Sequence, residues 1–590
     1  MKKNPRQFYS YLSKNTKSRS PVGPLINSDG TQISEPQGMC QILNNFFSSV
    51  FTNEDITNAP VAASLTQSTV ESMTATEEIF KKKLNKIRSN AAPGPDGITA
   101  WLLSKLQDVL AKPICLIYNK SLSSGEVPSN WKCAHVTPVF KKGNRSMAEN
   151  YRPISLTSIV CKIFESILCN VITIHLNEHK LLKSSQHGFV QNRSCLTNLL
   201  EYLETLTDLI DQGHCVDVFY LDFSKAFDRV PHQRLLSKLR AHGISGNILR
   251  WIESWLKDRK QKVVLNGSAS GWSSIPSGVP QGSVLGPLLF VIFINDIDTA
   301  VDTLYCYLLK YADDTKGMYR VNNKSDAVKL QRDLDNLFCW SSDWQMLFNL
   351  DKCHIMHFGE KNLRHTYTIN GHELTEVSEE KDLGVMISNT GTPCLQVATA
   401  ASKGNQVLGQ LLRSFTYKDK VTFVKLYKQY VRPHLENCIQ AWCPWQIQDI
   451  ELLENVQMRA VRAISSIHGS YEEKLKQIKL ETLQARRMRG DMIETFKILH
   501  GFENVDPDKF FNRAGSQHPH RTRLTSVLSP ETVETPSFGL VKTKHNLALR
   551  GNFFSQRAVI PWNNIPAEVR ASKSIELFKI AYDRHINKNK

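Results

Sequence analysis

Leu304-Tyr305-Cys306-Tyr307-Leu308-Leu309-Lys310-Tyr311-Ala312-Asp313-Asp314-Thr315-Lys316-Gly317-Met318-Tyr319-Arg320-Val321 is the stretch that decides how this chain folds. Leu304 to Leu309 is rich in aliphatic and aromatic side chains, the composition of a buried strand. Thr315 to Val321 can run back beside it, which puts the Asp313-Asp314 pair at a hairpin turn, its carboxylates facing solvent. A second strand-like run, Cys215 to Leu221, leads into Asp222. Carboxylates held on rigid strand ends suit a pair of divalent cations roughly 3.5–4 Å apart, one activating an attacking hydroxyl and one steadying a leaving pyrophosphate. Aspartate is also a common turn residue, so the tetrapeptide has to be weighed with its neighbours.

Those neighbours come in a specific order. Between the carboxylates lies Ser277-Gly278-Val279-Pro280-Gln281-Gly282-Ser283-Val284-Leu285-Gly286-Pro287, a loop whose glycines permit close backbone approach. It passes into the apolar run Leu288 to Ile294. Upstream stand Gly94-Pro95-Asp96-Gly97-Ile98, Phe140-Lys141-Lys142-Gly143 and Tyr151-Arg152-Pro153-Ile154-Ser155; downstream stand Asn349-Leu350-Asp351-Lys352 and Lys381-Asp382-Leu383-Gly384-Val385.

With this set of motifs, the chain resembles the reverse transcriptases of non-LTR (LINE-type) retrotransposons, the jockey-like and CR1-like group above all. The resemblance runs from Asn4-Pro5-Arg6-Gln7-Phe8-Tyr9 to Trp562-Asn563-Asn564-Ile565-Pro566. It implies an α+β, right-hand polymerase fold with a helical C-terminal region, and an RNA-directed DNA polymerase. Asp222, Asp313 and Asp314 match the family's catalytic, metal-binding carboxylates, with Asp222 and Asp313 bridging two Mg2+ ions (Mn2+ the alternative) and Asp314 assisting. In Asp222-Phe223-Ser224-Lys225-Ala226-Phe227, Phe223 is assigned to the substrate site and Phe227 matches the aromatic gate beneath the incoming sugar, which rejects a ribose 2′-hydroxyl. A phenylalanine there is otherwise core.

By the same resemblance, Gln281 and Gly282 lie beside the template base and nucleotide, and Arg152 with the Lys141-Lys142 pair holds the triphosphate, a forked donor and point charges respectively. Lys352 matches the lysine read as general acid for the leaving pyrophosphate; solvated surface lysine is the plain alternative. The implied partners are an RNA template, a DNA primer and dNTPs. A catalytically silent RNA-binding remnant is the competing reading, and intact Asp222, Asp313 and Asp314 oppose it. RNA synthesis by a related palm is opposed by Phe227.

A chain of 590 residues exceeds a single core. The expected division is an N-terminal extension over 1–80, fingers and palm over 81–388, a thumb over 389–470 and a helical C-terminal region over 471–590. Hydrophobic residues make up 41%, and the mean hydropathy of −0.31 indicates a folded, soluble chain. The 73 Lys+Arg against 56 Asp+Glu leave a net charge of +17, which favours a polyanionic partner. Basic clusters at Lys81-Lys82-Lys83, at Lys257, Arg259 and Lys260, and at Arg486-Arg487 fit the walls of a channel for a phosphate backbone, with a solvated face as the commoner alternative for each cluster alone. Arg459 and Arg462, on a helical pattern through Leu452, Leu453, Val456 and Ala460, either grip a duplex or form an exposed helix face.

Leu196, Leu199, Leu200, Leu203 and Leu206 repeat at helical spacing and predict a helix backing the Asp222 strand. Helices are also expected at Met39 to Phe51 and Asp491 to Leu499, a tight hairpin at Asn266-Gly267 and a loop around Pro519 to Pro530. Thirteen cysteines without a C-x-x-C pair argue against a disulfide framework and a zinc knuckle. The longest apolar stretch, around Val284 to Ile294, is too short for a bilayer, so no membrane partner is expected. These features predict a nuclear or cytoplasmic, non-secreted protein. The short lead-in offers no endonuclease, so a truncated element product, or a gene model covering only its polymerase half, is expected, with any nick supplied by an endonuclease acting in trans.

Overall fold

Val216–Leu221 is buried at every position, so both faces of this strand are covered. The computed structural model describes residues 22–27, 29–513 and 538–588; the readings made on Asn4 to Tyr9 and Pro519 to Pro530 lie outside the described residues. Around Val216–Leu221 forms a five-stranded sheet in the order Thr375–Glu376, His354–Phe358, Val216–Leu221, Asp314–Arg320, Cys306–Tyr311. The three pairings from His354–Phe358 to Cys306–Tyr311 are antiparallel. The first hairpin strand begins at Cys306 instead of Leu304, because Leu304 and Tyr305 are exposed.

The predicted leucine stripe forms the helix Cys195–Asp211, opened by a Ser194–Thr197 capping box, with Leu199, Leu200, Leu203 and Leu206 buried. Its Tyr202 hydroxyl meets that of Tyr220 on the central strand at 3.0 Å. Asp217, fully buried on the same strand, is satisfied by His357 Nδ1 at 2.6 Å, Asn362 Nδ2 at 2.7 Å and the Tyr367 hydroxyl at 2.6 Å. An unpaired carboxylate there would be costly, so these three donors fix the strand's neighbours as well as its charge.

The chain divides into two compact units, each drawn from three segments. The one holding the sheet above comprises Ser184–Asp222, Val301–Asp335 and Leu350 onward. Its apolar core continues from the sheet into helices Cys394–Ser414, Ile447–Arg462 and Leu483–Leu499, through Val397, Leu408, Leu453, Val456, Phe496 and Phe578. Leu453, Val456 and Ala460 face this core while Leu452 points outward. Arg459 and Arg462 are exposed on the same helix. The Arg486-Arg487 reading needs correction: Arg486 is held bidentate by Glu436, at 2.5 and 2.9 Å, and Arg487 is buried, so one braces two helices and the other faces the interior instead of lining a channel.

The other unit comprises the described residues up to Lys183 with Phe223–Ala300 and Asn336–Asn349. Its sheet runs Tyr151–Leu156, Cys133–Phe140, Arg259–Leu265, with Ser268–Ala269 and Ser273–Ile275 on the far edge. Asn266 and Gly267, both at positive φ, close the predicted tight hairpin. Helix Pro36–Ser49 covers one face through Met39, Leu43 and Phe47. Arg259 is a second correction: buried, it donates to the Trp255 carbonyl at 2.9 Å and lies over the Trp255 ring. Lys81 pairs with Glu77 and Asp108.

The apolar run of the sequence is helix Leu285–Ile294, buried almost all round. Among the described residues one helix, Ile159–Glu178, is long and apolar enough to cross a membrane. Ile163, Phe164, Ile167, Leu168 and Ile172 are buried within its unit. Its Glu165 carboxylate, fully buried, accepts from Val284 N at 2.6 Å and Leu285 N at 3.2 Å, capping the start of Leu285–Ile294.

Candidate active site

Tyr311 and Asp314 are the last paired residues of the two hairpin strands, leaving Ala312 and Asp313 as a two-residue turn. Ala312 stands at φ +57°, a left-handed conformation that costs a residue with a Cβ roughly 1–2 kcal/mol. The strain is held by a neighbouring segment. Gln186 Oε1 accepts from Ala312 N at 3.0 Å and from Gly188 N at 2.8 Å, while His187 N donates to the Lys310 carbonyl at 2.9 Å. A Cβ on Gly188 would come within 2.2 Å of Ala312 N, so only glycine lets the two backbones touch.

Leu221 pairs with Thr315, and continuing that register by one residue sets Asp222 across from Asp314. Asp222, Asp313 and Asp314 are therefore gathered at one end of the sheet, as their sequence positions predicted. Asp314 titrates near 6, raised first by burial and then by the Asp313 and Asp222 carboxylates, with Lys316 opposing. Its outer edge remains open to water, which screens the like charges in part.

Lys352 closes the short turn Leu350–Lys352 just before His354–Phe358, the strand beside Val216–Leu221. Its ammonium reaches Asp222 Oδ2 at 2.8 Å. Both side chains are partly exposed, so the pair is exchangeable with water or another cation.

Among the described residues no three His, Cys, Asp or Glu side chains stand together as a ready metal cage. The donor chemistry nevertheless fits a divalent cation. Hard oxygens crowd one turn, raise the proton affinity of Asp314, and have already drawn one cation, the Lys352 ammonium, to Asp222.

The remaining site residues belong to the other unit. Arg152 lies opposite Val139 in the Cys133–Phe140 and Tyr151–Leu156 pair, and Lys141, whose N donates to the Asn150 carbonyl at 2.8 Å, follows directly after it. Arg152, Lys141 and Lys142 are all exposed there, on neighbouring register positions. The Gln281 carbonyl accepts from Ser155 N at 2.7 Å, and a Cβ on Gly282, at φ +115°, would come within 2.5 Å of the Ser155 carbonyl. The close approach of this loop is thus to the strand Tyr151–Leu156.

Phe227 is half-buried and stacked on Phe290, with centroids 4.6 Å apart. Phe223 requires a correction: the residue is 3% exposed and its ring stacks on Phe348, so it is core. The residues that sequence reasoning missed are Gln186, Gly188 and Glu165. Glycine at 188 was the one local signal of a tight contact.

A carboxylate-bearing hairpin thus lies beside a strand that leads into a third carboxylate, in a sheet backed by the helix Cys195–Asp211. Residues 139–409 match the family described as reverse transcriptase (RNA-dependent DNA polymerase). The chain is 28% identical over 408 residues to a probable RNA-directed DNA polymerase from transposon BS of Drosophila melanogaster, covering 66% of this chain and 44% of that protein. It is 26% identical over 423 residues to the RNA-directed DNA polymerase from mobile element jockey of the same fly, covering 70% and 46%. Against a probable RNA-directed DNA polymerase from transposon X-element, also of D. melanogaster, identity is 24% over 463 residues, covering 74% and 50%. Residues 139–409 thus resemble reverse transcriptase domains of the non-LTR retrotransposon kind. It spans about half the length of the curated relatives it matches. A solved telomerase from Candida albicans aligns over 64% of this chain and 69% of its own at 14% identity, with a TM-score of 0.36, too low to bear on the site.

Proposed function

We propose that this chain is an RNA-directed DNA polymerase that adds dNTPs to a DNA primer 3′-hydroxyl on an RNA template. The observation that carries the reading is the register that sets Asp222 across from Asp314, with Asp313 in the intervening turn, inside the segment matching the reverse transcriptase family. Asp222 and Asp313 would hold two Mg2+ ions, with Asp314 assisting. When bound, the ions supply Lewis-acid activation of the primer hydroxyl and charge neutralisation on the leaving pyrophosphate.

The chain's own residues do the remaining work. Gln186 and Gly188 hold the Ala312-Asp313 turn in its strained form, so the carboxylates need no reorganisation when substrate arrives. Lys352 keeps an ammonium beside Asp222 and is the proton donor for pyrophosphate. Arg152 with Lys141 and Lys142 presents exposed cationic donors for a triphosphate, and Phe227 offers a ring edge against a ribose 2′-hydroxyl. By the resemblance, the Gln281-Gly282 loop is a further candidate for nucleotide contact. The division into fingers and palm (81–388), thumb (389–470) and C-terminal region (471–590), a nuclear or cytoplasmic location, and a nick supplied by an endonuclease in trans belong to the same proposal.

Extension of a DNA primer on a homopolymer RNA template tests it. The purified chain should incorporate dNTPs, stop on chelation and resume on addition of Mg2+; incorporation unaffected by a chelator would contradict the role given to the carboxylates.

A further inference from the structure

Lys316 follows Asp314 by two residues on one strand, so the two side chains leave the same face of the sheet. Lys316 runs inward. Its ammonium pairs with the Asp382 carboxylate and lies 4.4 Å from the centre of the Tyr202 ring. The Lys316 and Asp382 side chains are 6% and 7% exposed. Tyr202 is fixed in turn by its hydroxyl bond to Tyr220, the residue opposite Lys316 in the strand pairing.

Asp382 closes the strand Glu379–Asp382 and pairs with Val385, across the two-residue turn Leu383-Gly384 at φ +46° and +89°. The strand Val385–Ser388 then leads to helix Cys394–Ser414, where Gln396 Oε1 accepts from Met386 N at 2.8 Å. A single buried ion pair therefore joins the tip of the 379–388 hairpin to the strand bearing Asp314.

Stability alone does not account for such a pair. Two charges taken out of water forfeit hydration that their mutual attraction returns only in good geometry, and apolar side chains of similar volume often pack as well. What a charge pair adds is a single permitted register: an apolar contact tolerates sliding, while a buried ammonium tolerates only the position that keeps its carboxylate.

We propose that Lys316 and Asp382 are a positioning pair that locks the 379–388 hairpin to the Asp313-Asp314 turn, so that both move as one body during nucleotide addition. The activity readout rests on the polymerase reading above; the exchange readout described below does not.

Three variants test the pair: Lys316→Met, Asp382→Leu and the two combined. Each single variant leaves one charge buried alone and should lower both the melting temperature and the kcat of primer extension. The double variant removes both charges. Its melting temperature should return close to the parent's while kcat stays depressed on the order of 10- to 100-fold at a little-changed KM for dNTP, as expected of a misplaced site. Recovery of kcat together with the melting temperature would make the pair merely structural and overturn the proposal.

If the double variant does not fold, Asp382→Asn keeps the volume and an acceptor: a lowered kcat at unchanged KM supports the pair, and parental kcat overturns it. If the parent itself extends no primer, the polymerase reading fails and hydrogen exchange decides. Faster exchange confined to 379–388 in Asp382→Asn, with Val216–Leu221 amides unchanged, upholds the positioning role; parental exchange throughout the hairpin rejects it.

Discussion

The Lys352 ammonium lies 2.8 Å from Asp222 Oδ2 although the two residues are 130 apart in the chain. One ends the central strand's exit and the other precedes the strand beside it, so sheet pairing alone brings them together. A lysine so placed both supplies a proton and competes with any cation for Asp222.

Lys352→Leu separates these effects. Loss of the proton donor should lower kcat by roughly 10²-fold, in the range of general acid catalysis. Loss of the competing ammonium should lower the Mg2+ concentration for half-maximal activity. A Mg2+ titration of primer extension reads both; an unchanged midpoint would mean that the ammonium does not compete with Mg2+ for Asp222.

Gln186 and Gly188 carry a prediction of their own. Gln186→Leu leaves the Ala312 and Gly188 amides without their acceptor, a loss of about 1–3 kcal/mol for a buried donor. Gly188→Ala drives a Cβ into Ala312 N. Both should slow extension and lower the melting temperature, Gly188→Ala more severely, as measured by paired kinetics and thermal denaturation.

The carboxylates and their braces were unequally legible in the sequence. Asp222 and Asp313-Asp314 could be read because continuous apolar strand runs and a two-residue turn are local patterns. Gln186 could not, because it acts 126 residues away and glutamine has no local signature of that use. The basic clusters misled for a related reason: composition records a charge but not the side of the backbone it leaves, and Arg259 and Arg487 turned inward. Phe223 was read as a substrate residue from its place in a motif, whereas the ring at Phe348 claims it.

Phe227→Ala should raise ribonucleotide incorporation relative to deoxyribonucleotide, measured as the ratio of the two kcat/KM values. Because the ring also stacks on Phe290, some stability is lost as well. Lower stability with an unchanged ratio would assign Phe227 to packing alone.

His187 predicts an acid limb in stability. It is fully buried, 2.9 Å from the Thr197 hydroxyl and 3.9 Å from Glu201, and its imidazole is lowered to about 2, first by burial and then by Arg193, Lys316 and Lys509. The unfolded chain binds this proton below about 6.5 while the folded one does not, so stability falls as pH drops from there. The slope from this group is about 1.4 kcal/mol per pH unit. Urea unfolding between pH 6.5 and 4.5 should show a shallower decline in His187→Gln than in the parent.

The most direct measurement is primer extension on an RNA template by Asp313→Asn beside the parent, with RNA binding measured on the same preparations. A carboxylate that holds the ions predicts extension reduced by orders of magnitude with binding almost unchanged. Equal extension by the two proteins would contradict the assignment of Asp313, and with it the site.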